Sequence, residues 1–344
     1  MKAAVLVNTG EDLQILQGVA MPEPGLGQVQ VKVLFAGVCH SQLAEVRGWR
    51  GEDKYLPHML GHEGVGIVER IGEGVTKVQE GDKVVLGWVK GEGHNVGGAI
   101  YNWQGQAINS GAVTTFSEHT IVSENRVVQL PDGMPEELAV LLGCALPTGT
   151  GMVFNEAKLP ENQKVAVFGL GGIGLSALIA ANSRAPSMLI AVDCNPDKLA
   201  LAKTLGATHV IDTNNGDVLA QVREIAPDGV DFSFEAGGSV VTIEQAFEAI
   251  RVNGGRCIFA SHPKEGDKIK LDPFSFHCGK HIQGSWGGGS KPDLDIPKLV
   301  TLYQEGKLRN IESLLSHEYA LEEINTALDD LENRKINRAL IKIA

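Results

Sequence analysis

Missing from this chain are a Cys-x-x-Cys pair, a block of lysine and arginine, an apolar run long enough to cross a bilayer, and any internal repeat or low-complexity segment. The five cysteines, an odd number with no close pair in 344 residues, argue against a disulfide framework and against a four-cysteine structural zinc. A net charge of -12 without a basic cluster disfavours nucleic acid as a partner, because phosphate recognition needs cationic surface. The N-terminus, Met1 to Asn8, turns polar too soon for a signal peptide, and no stretch reaches the roughly 20 apolar residues of a membrane helix. The expectation is a cytoplasmic chain with no membrane partner. At 43% hydrophobic it is long enough for a sizeable core and about two domains.

What is present changes texture along the chain. Lys2 to Val7, Gln28 to Ala36, Gly64 to Ile71 and the residues after Gly81-Asp82 are short β-branched runs bounded by Gly, Pro or Asn, so the first part reads as strands. Gly87 to Gly111 is the one long, glycine-rich, weakly patterned stretch. From about Pro160, strands at 164–168, 189–192, 209–211, 230–234 and 256–260 alternate with helices at 174–184, 197–205, 217–226 and 244–250. That alternation predicts a doubly wound parallel sheet, an α/β fold of Rossmann type. The tail from Ile296 is helical, then returns to a strand at 339–343 that is expected to pack back on the first domain.

Gly169-Leu170-Gly171-Gly172-Ile173-Gly174 fills the G-x-G-x-x-G frame between a predicted strand and helix. The first glycine permits a tight turn, the second lets backbone approach a pyrophosphate, and the third lets helix pack on strand. Asp193 follows Gly174 by 19 residues at the end of the next strand, where a carboxylate accepts from ribose hydroxyls. The same charge repels a 2'-phosphate, and Cys194-Asn195-Pro196-Asp197 offers no arginine to offset it, so NAD is expected rather than NADP. Lys198 on the following helix reads equally as a ribose contact or a solvated lysine.

Cys39 in Gly-Val-Cys-His-Ser, His62 in Gly-His-Glu and Cys144 in Gly-Cys-Ala-Leu-Pro-Thr-Gly make a Cys2His set. Three such ligands hold a zinc with its fourth position open, which is what makes a zinc catalytic. Each alone reads first as a buried thiol or a satisfied interior histidine; the Gly-His-Glu turn and the nucleotide fold that follows Cys144 together reverse this in favour of the metal.

Taken in order, the Cys-His-Ser turn, Gly-His-Glu-Gly, Gly-Asp-Lys-Val, the segment ending Pro-Thr-Gly, the dinucleotide fingerprint with its aspartate and the Asn-Arg-Ala-Leu-Ile stretch resemble the medium-chain, zinc-dependent alcohol dehydrogenase family over nearly the full chain. The resemblance implies a β-rich GroES-like catalytic domain at 1–148 plus 290–344 and an NAD-binding Rossmann domain at 149–289. It implies one catalytic zinc on Cys39, His62 and Cys144, with Glu63 just behind the metal, either supporting the ligands from there or exchanging onto the metal. It further implies His40 and Arg338 near the NAD pyrophosphate, Thr148 near the nicotinamide, Ser41 at the substrate oxygen, and Trp88, Leu146 and Trp286 as pocket walls. Ser41 also reads as a turn or capping serine. A homodimer or homotetramer acting on a small-molecule alcohol or carbonyl compound is expected.

Two departures stand out. The segment from Trp88 to Val113, where many relatives carry a four-cysteine zinc lobe, contains no cysteine, so a second zinc is not expected. The relay histidine three positions beyond the serine is Ala44 here; His58 is a candidate replacement by sequence proximity only. The function expected is hydride transfer between NAD and an alcohol, with a polyol, sugar-like or cyclitol substrate suggested by the missing lobe and the indole N-H donors. The alternatives are a glutathione-type thiol-adduct formaldehyde dehydrogenase and, from another class, a non-catalytic NAD-binding redox sensor, which would have no need of an open metal site.

Overall fold

The computed structural model describes residues 1–344 and divides them into two units: Met1–Cys144 with Lys291–Gln304 and Leu315–Ala344, and Ala145–Ser290 with Glu305–Leu314. The short Glu305–Leu314 segment, assigned from sequence to the first domain, thus groups with the second. Its three apolar residues explain this: Leu308, Ile311 and Leu314 are buried, and the Ile311–Leu314 turn packs on the Gly172–Asn182 helix.

The first unit is built on β-structure. Its larger sheet has seven strands centred on Gln28–Gly37, which pairs antiparallel with Glu63–Ile71, with His119–Ser123 and with the C-terminal Ala339–Lys342 strand. Val29, Val31 and Val33 are fully buried with Val68, Val84, Leu86 and Val122, which fixes the register through apolar packing. A second sheet of five strands contains Ala3–Leu6 and, at its edge, the hairpin Ile100–Trp103 and Gln106–Asn109. That hairpin lies in the stretch with no clear pattern in the sequence. Its turn, Gln104-Gly105, takes positive φ at both residues (52° and 91°), and a glutamine at the first position is a weak hairpin signal.

The second unit carries a six-stranded parallel sheet in the order His209–Asp212, Met188–Asp193, Lys164–Phe168, Phe232–Glu235, Arg256–Phe259, His281–Gly284. The predicted strands and helices fall within a few residues of these elements, the last strand excepted. Ala145–Gly151 is a wholly buried helix that runs into a π-helical turn, Met152–Glu156, neither of which the sequence pattern announced. No single helix in the chain is long and apolar enough to cross a membrane.

Candidate metal centre and dinucleotide turn

The three proposed metal ligands come from three separate loops of the first unit, and pairing of two strands brings the first two together. Cys39 follows the Gln28–Gly37 strand and caps the His40–Val46 helix, while His62 immediately precedes the Glu63–Ile71 strand. Because Ala36 pairs with Gly64, the residues beyond these strand ends meet. Cys144 arrives at the end of the Val140–Gly143 turn. Gly143 permits that approach, since a Cβ there would lie 2.4 Å from the Leu86 carbonyl and 2.7 Å from Glu63 Cβ. The result is that one donor atom each from Cys39, His62 and Cys144 lies within 4.8 Å of the others.

Second contacts orient the trio. His62 Nε2 is 3.2 Å from Cys144 Sγ, which leaves Nδ1 for orientation. Ser41 Oγ is 3.3 Å from Nδ1, and the side-chain amide of the buried Gln42 also meets it. The Gln42 carbonyl oxygen in turn accepts from the Cys39 N-H at 3.0 Å. One buried glutamine therefore touches two of the three ligand residues. Sequence reasoning missed it, although its place three residues into a helix capped by Cys39 was visible.

Glu63 is fully buried behind the trio, and Arg338 Nε donates to its Oε1 at 2.7 Å. Burial pushes the Glu63 carboxyl up while the Arg338 cation opposes it. Arg338 is held above its ordinary value: burial disfavours its charge, but the surrounding Glu63, Cys39 and Cys144 favour it more. The structure thus places Arg338, expected at the pyrophosphate, in a buried ion pair with Glu63. Glu63 Oε2 has no hydrogen-bond partner.

A hydrogen bond from Cys144 and the nearby Arg338 charge lower the Cys39 thiol well below its usual range, and the same hydrogen bond raises Cys144 well above its own. Two thiol sulfurs, an imidazole nitrogen and a buried arginine whose charge offsets that of thiolates form a donor set suited to zinc.

Other residues singled out from the sequence are placed as follows. His40 is exposed on the first turn of its helix. His58 is buried and committed on both nitrogens, with Nε2 2.7 Å from Asp53 Oδ2 and Nδ1 3.0 Å from the Met59 carbonyl. Trp88 is half-buried against the valine core, and its carbonyl accepts from Arg126. In the second unit Leu146 is fully buried, Trp286 is 74% exposed, and Thr148 is buried with no partner for its hydroxyl.

The dinucleotide turn lies at the carboxyl end of Lys164–Phe168. Gly169 adopts φ +82°, a conformation that favours glycine, and a Cβ on Gly174 would sit 1.8 Å from the Gly169 carbonyl. A Cβ on Gly171, by contrast, would meet nothing within 4 Å, so the middle of the turn faces open space. Leu170 and Ile173 complete the turn, and the eleven-residue Gly172–Asn182 helix begins there with its free N-H groups. Asp193 does more than its position predicted: Oδ2 accepts from the Leu170 N-H at 2.6 Å and Oδ1 from the Asn195 N-H at 2.9 Å. Lys198 is buried on the Pro196–Thr204 helix that follows.

Comparison with known proteins agrees with this architecture. Residues 25–132 match the alcohol dehydrogenase GroES-like domain, and residues 172–305 match the zinc-binding dehydrogenase domain. The chain is 32% identical to S-(hydroxymethyl)glutathione dehydrogenase of Komagataella pastoris, covering 99% of this chain and 97% of that protein. It is 33% identical to the Synechocystis protein of the same name, over 99% of both. The crystal structure of benzyl alcohol dehydrogenase from Acinetobacter calcoaceticus superposes with a TM-score of 0.90 at 34% identity, covering 100% of this chain and 99% of that one. With the GroES-like domain, the parallel nucleotide sheet and the Cys2His cluster in place, the chain belongs to the medium-chain zinc-dependent alcohol dehydrogenase family, whose cofactors are zinc and NAD.

Proposed function

We propose that this enzyme oxidises an uncharged alcohol to the corresponding carbonyl compound with NAD, and that Cys39, His62 and Cys144 are its zinc ligands. The observation that carries the reading is the convergence of those three donors within 4.8 Å on well-formed loops of one unit. A zinc held by these three residues would supply Lewis acidity toward a substrate hydroxyl. Ser41 Oγ, 3.3 Å from His62 Nδ1 and half-exposed, would take the alcohol proton as it gives its own hydroxyl proton to solvent. Gln42 packs its side-chain amide against the same imidazole. The glycine turn and the Gly172–Asn182 helix N-terminus bind the pyrophosphate, Asp193 and Lys198 the adenosine ribose, and Thr148 flanks the nicotinamide. Five free thiols and no disulfide support a reducing, cytoplasmic setting.

An uncharged substrate is favoured over a glutathione adduct by the residues that replace the cysteine-bearing lobe. From Trp88 to Val113 the only lysine or arginine is Lys90, so the segment brings no cationic patch for an anionic thiol conjugate. Trp88 instead offers an aromatic surface suited to an aryl alcohol or to the C-H faces of a polyol. The test follows NADH formation with zinc-loaded protein and a panel of benzyl alcohol, linear and cyclic polyols, and S-(hydroxymethyl)glutathione. Highest kcat/KM on an uncharged member is expected. Highest kcat/KM on the glutathione adduct would replace this reading with the thiol-adduct one, and NADH binding without turnover or zinc would replace it with the sensor.

A further inference from the structure

Outside the metal centre, the least explained buried charge is Glu235. It ends the Phe232–Glu235 strand, has no exposed surface, and pairs with Phe168 on one side and Phe259 on the other. The chain winds outward from Lys164–Phe168 through Met188–Asp193 to His209–Asp212, then crosses to Phe232–Glu235 on the opposite side. Ligands of such sheets bind beyond the carboxyl ends of the two strands where the order reverses, which is where Glu235 lies.

Its two oxygens are used unequally. Oε1 accepts from the Gly237 N-H, the Thr242 hydroxyl and the Ser261 hydroxyl, each at 2.7 Å. Ser261 Oγ also accepts from the Gly238 N-H at 2.6 Å. One oxygen thereby ties together the loop after its own strand, the Val240–Ala249 helix and the loop after Arg256–Phe259. Oε2 is buried with no partner, a costly arrangement for a group that served only to staple a loop.

The loop so held is the surface against which the dinucleotide turn rests. The Ala236 N-H donates to the Phe168 carbonyl at 2.8 Å. A Cβ on Gly169 would lie 2.4 Å from Gly237 Cα and 2.5 Å from its nitrogen, so Gly237 backbone and the first fingerprint glycine are in closest contact. A displacement of Gly237 must be passed to Gly169, because neither has a side chain to absorb it.

We propose that Glu235 is a positioning residue for the dinucleotide: without touching it, the carboxyl group holds Gly237 against Gly169 and so sets the phosphate-binding turn. This rests on the NAD reading above. The experiment titrates NADH by fluorescence into zinc-loaded wild type, Glu235→Ala and Glu235→Gln, with thermal midpoints and zinc content measured alongside. Glu235→Gln keeps an oxygen acceptor and should bind NADH nearly as wild type does. Glu235→Ala should weaken NADH roughly tenfold or more, the loss expected of hydrogen bonds to a buried charged group, and raise KM for NAD with little change in kcat, at unchanged zinc content.

A Glu235→Ala protein that melts lower yet binds NADH as wild type does would make the residue merely structural and overturn the inference, as would equal losses in both variants. If Glu235→Ala does not fold, Thr242→Val with Ser261→Ala removes two of the three donors, and unchanged NADH affinity in that protein overturns it equally. Failure of wild type to bind NADH would remove the cofactor reading together with the inference, whereas a binding wild type with an indifferent Glu235→Ala removes only the inference.

Discussion

The buried amide of Gln42 contacts His62 Nδ1 while accepting from the Cys39 N-H, so one side chain touches two residues of the proposed metal site. For Nε2 to bind a metal the imidazole proton must sit on Nδ1, where an oxygen has to receive it: Ser41 Oγ, or the Gln42 carbonyl once the amide turns over and gives up the Cys39 N-H. Removing the partner of a ligating histidine typically costs about 10–100-fold in metal affinity. Gln42→Ala should lose zinc by that amount in a chelator competition. Gln42→Glu, whose carboxylate can accept from both Nδ1-H and the Cys39 N-H, should retain it. Equal zinc affinity in wild type and Gln42→Ala would show that the contact is incidental.

The metal count follows from the Cys2His trio and the cysteine-free segment 88–113. Elemental analysis of protein purified without chelator should give about one zinc per chain, since three ligands with an open position make one catalytic site. Cys39→Ala and Cys144→Ala should each lose that zinc and the dehydrogenase activity with it. A second tightly held zinc would contradict that count.

Asp193 should govern the choice of dinucleotide. Its carboxylate accepts from the Leu170 and Asn195 N-H groups, which fixes it at the end of its strand with its charge toward the turn. In Asp193→Gly the ratio of kcat/KM for NAD over NADP should fall, and affinity for NAD should fall too because the turn loses the Leu170 anchor. A wild type that uses both dinucleotides equally would contradict the assignment.

The fingerprint glycines should separate stability from binding. Gly171→Ala places a methyl in open space, so the fold should survive while the pyrophosphate is crowded and NADH affinity drops. Gly174→Ala drives a Cβ to 1.8 Å from the Gly169 carbonyl and should destabilise the protein by about 1–3 kcal/mol or more. Calorimetry with NADH titration of both variants distinguishes the two effects; a reversed pattern would refute the placement of the turn.

Glu124 predicts a pH dependence of stability. Burial opposes its ionisation, but N-H groups of His94, Thr76 and Lys77 and the His94 ring outweigh this and hold its carboxyl at about 2, below the ordinary glutamate value of 4.5. A carboxyl depressed by folding stabilises above its unfolded pKa, and that contribution fades as pH falls from 4.5 toward about 2. Glu124→Gln should therefore cost roughly 1–3 kcal/mol near neutral pH, in keeping with charge-assisted hydrogen bonds. The gap in thermal midpoint between wild type and variant should be flat from pH 7 to about 5 and shrink below that, where the carboxyl begins to protonate in the unfolded chain. A gap independent of pH would exclude the carboxylate as its source.

The sequence by itself determined what is local. Alternating β-branched runs and small-residue helices after Pro160 led to the parallel sheet, because strand and helix periodicities are written in consecutive residues. The glycine turn and Asp193 were legible for the same reason, each role following from one residue type at one spacing. Cys39, His62 and Cys144 could be picked out through their turn motifs, although spacing alone could not say that they meet.

Only the tertiary structure decided the rest, since it depends on contacts between distant segments. Pairing of Ala36 with Gly64 and the missing side chain of Gly143 bring the metal donors together. Arg338 reaches Glu63 because the C-terminal strand adds to the same sheet, a partnership across 275 residues that no local pattern encodes. Gln42, Glu124 and Glu235 look like ordinary surface-type residues in the sequence, and burial alone makes them consequential. A polar group taken out of water must find partners wherever the fold supplies them, and those partners are fixed by packing rather than by neighbours in the chain.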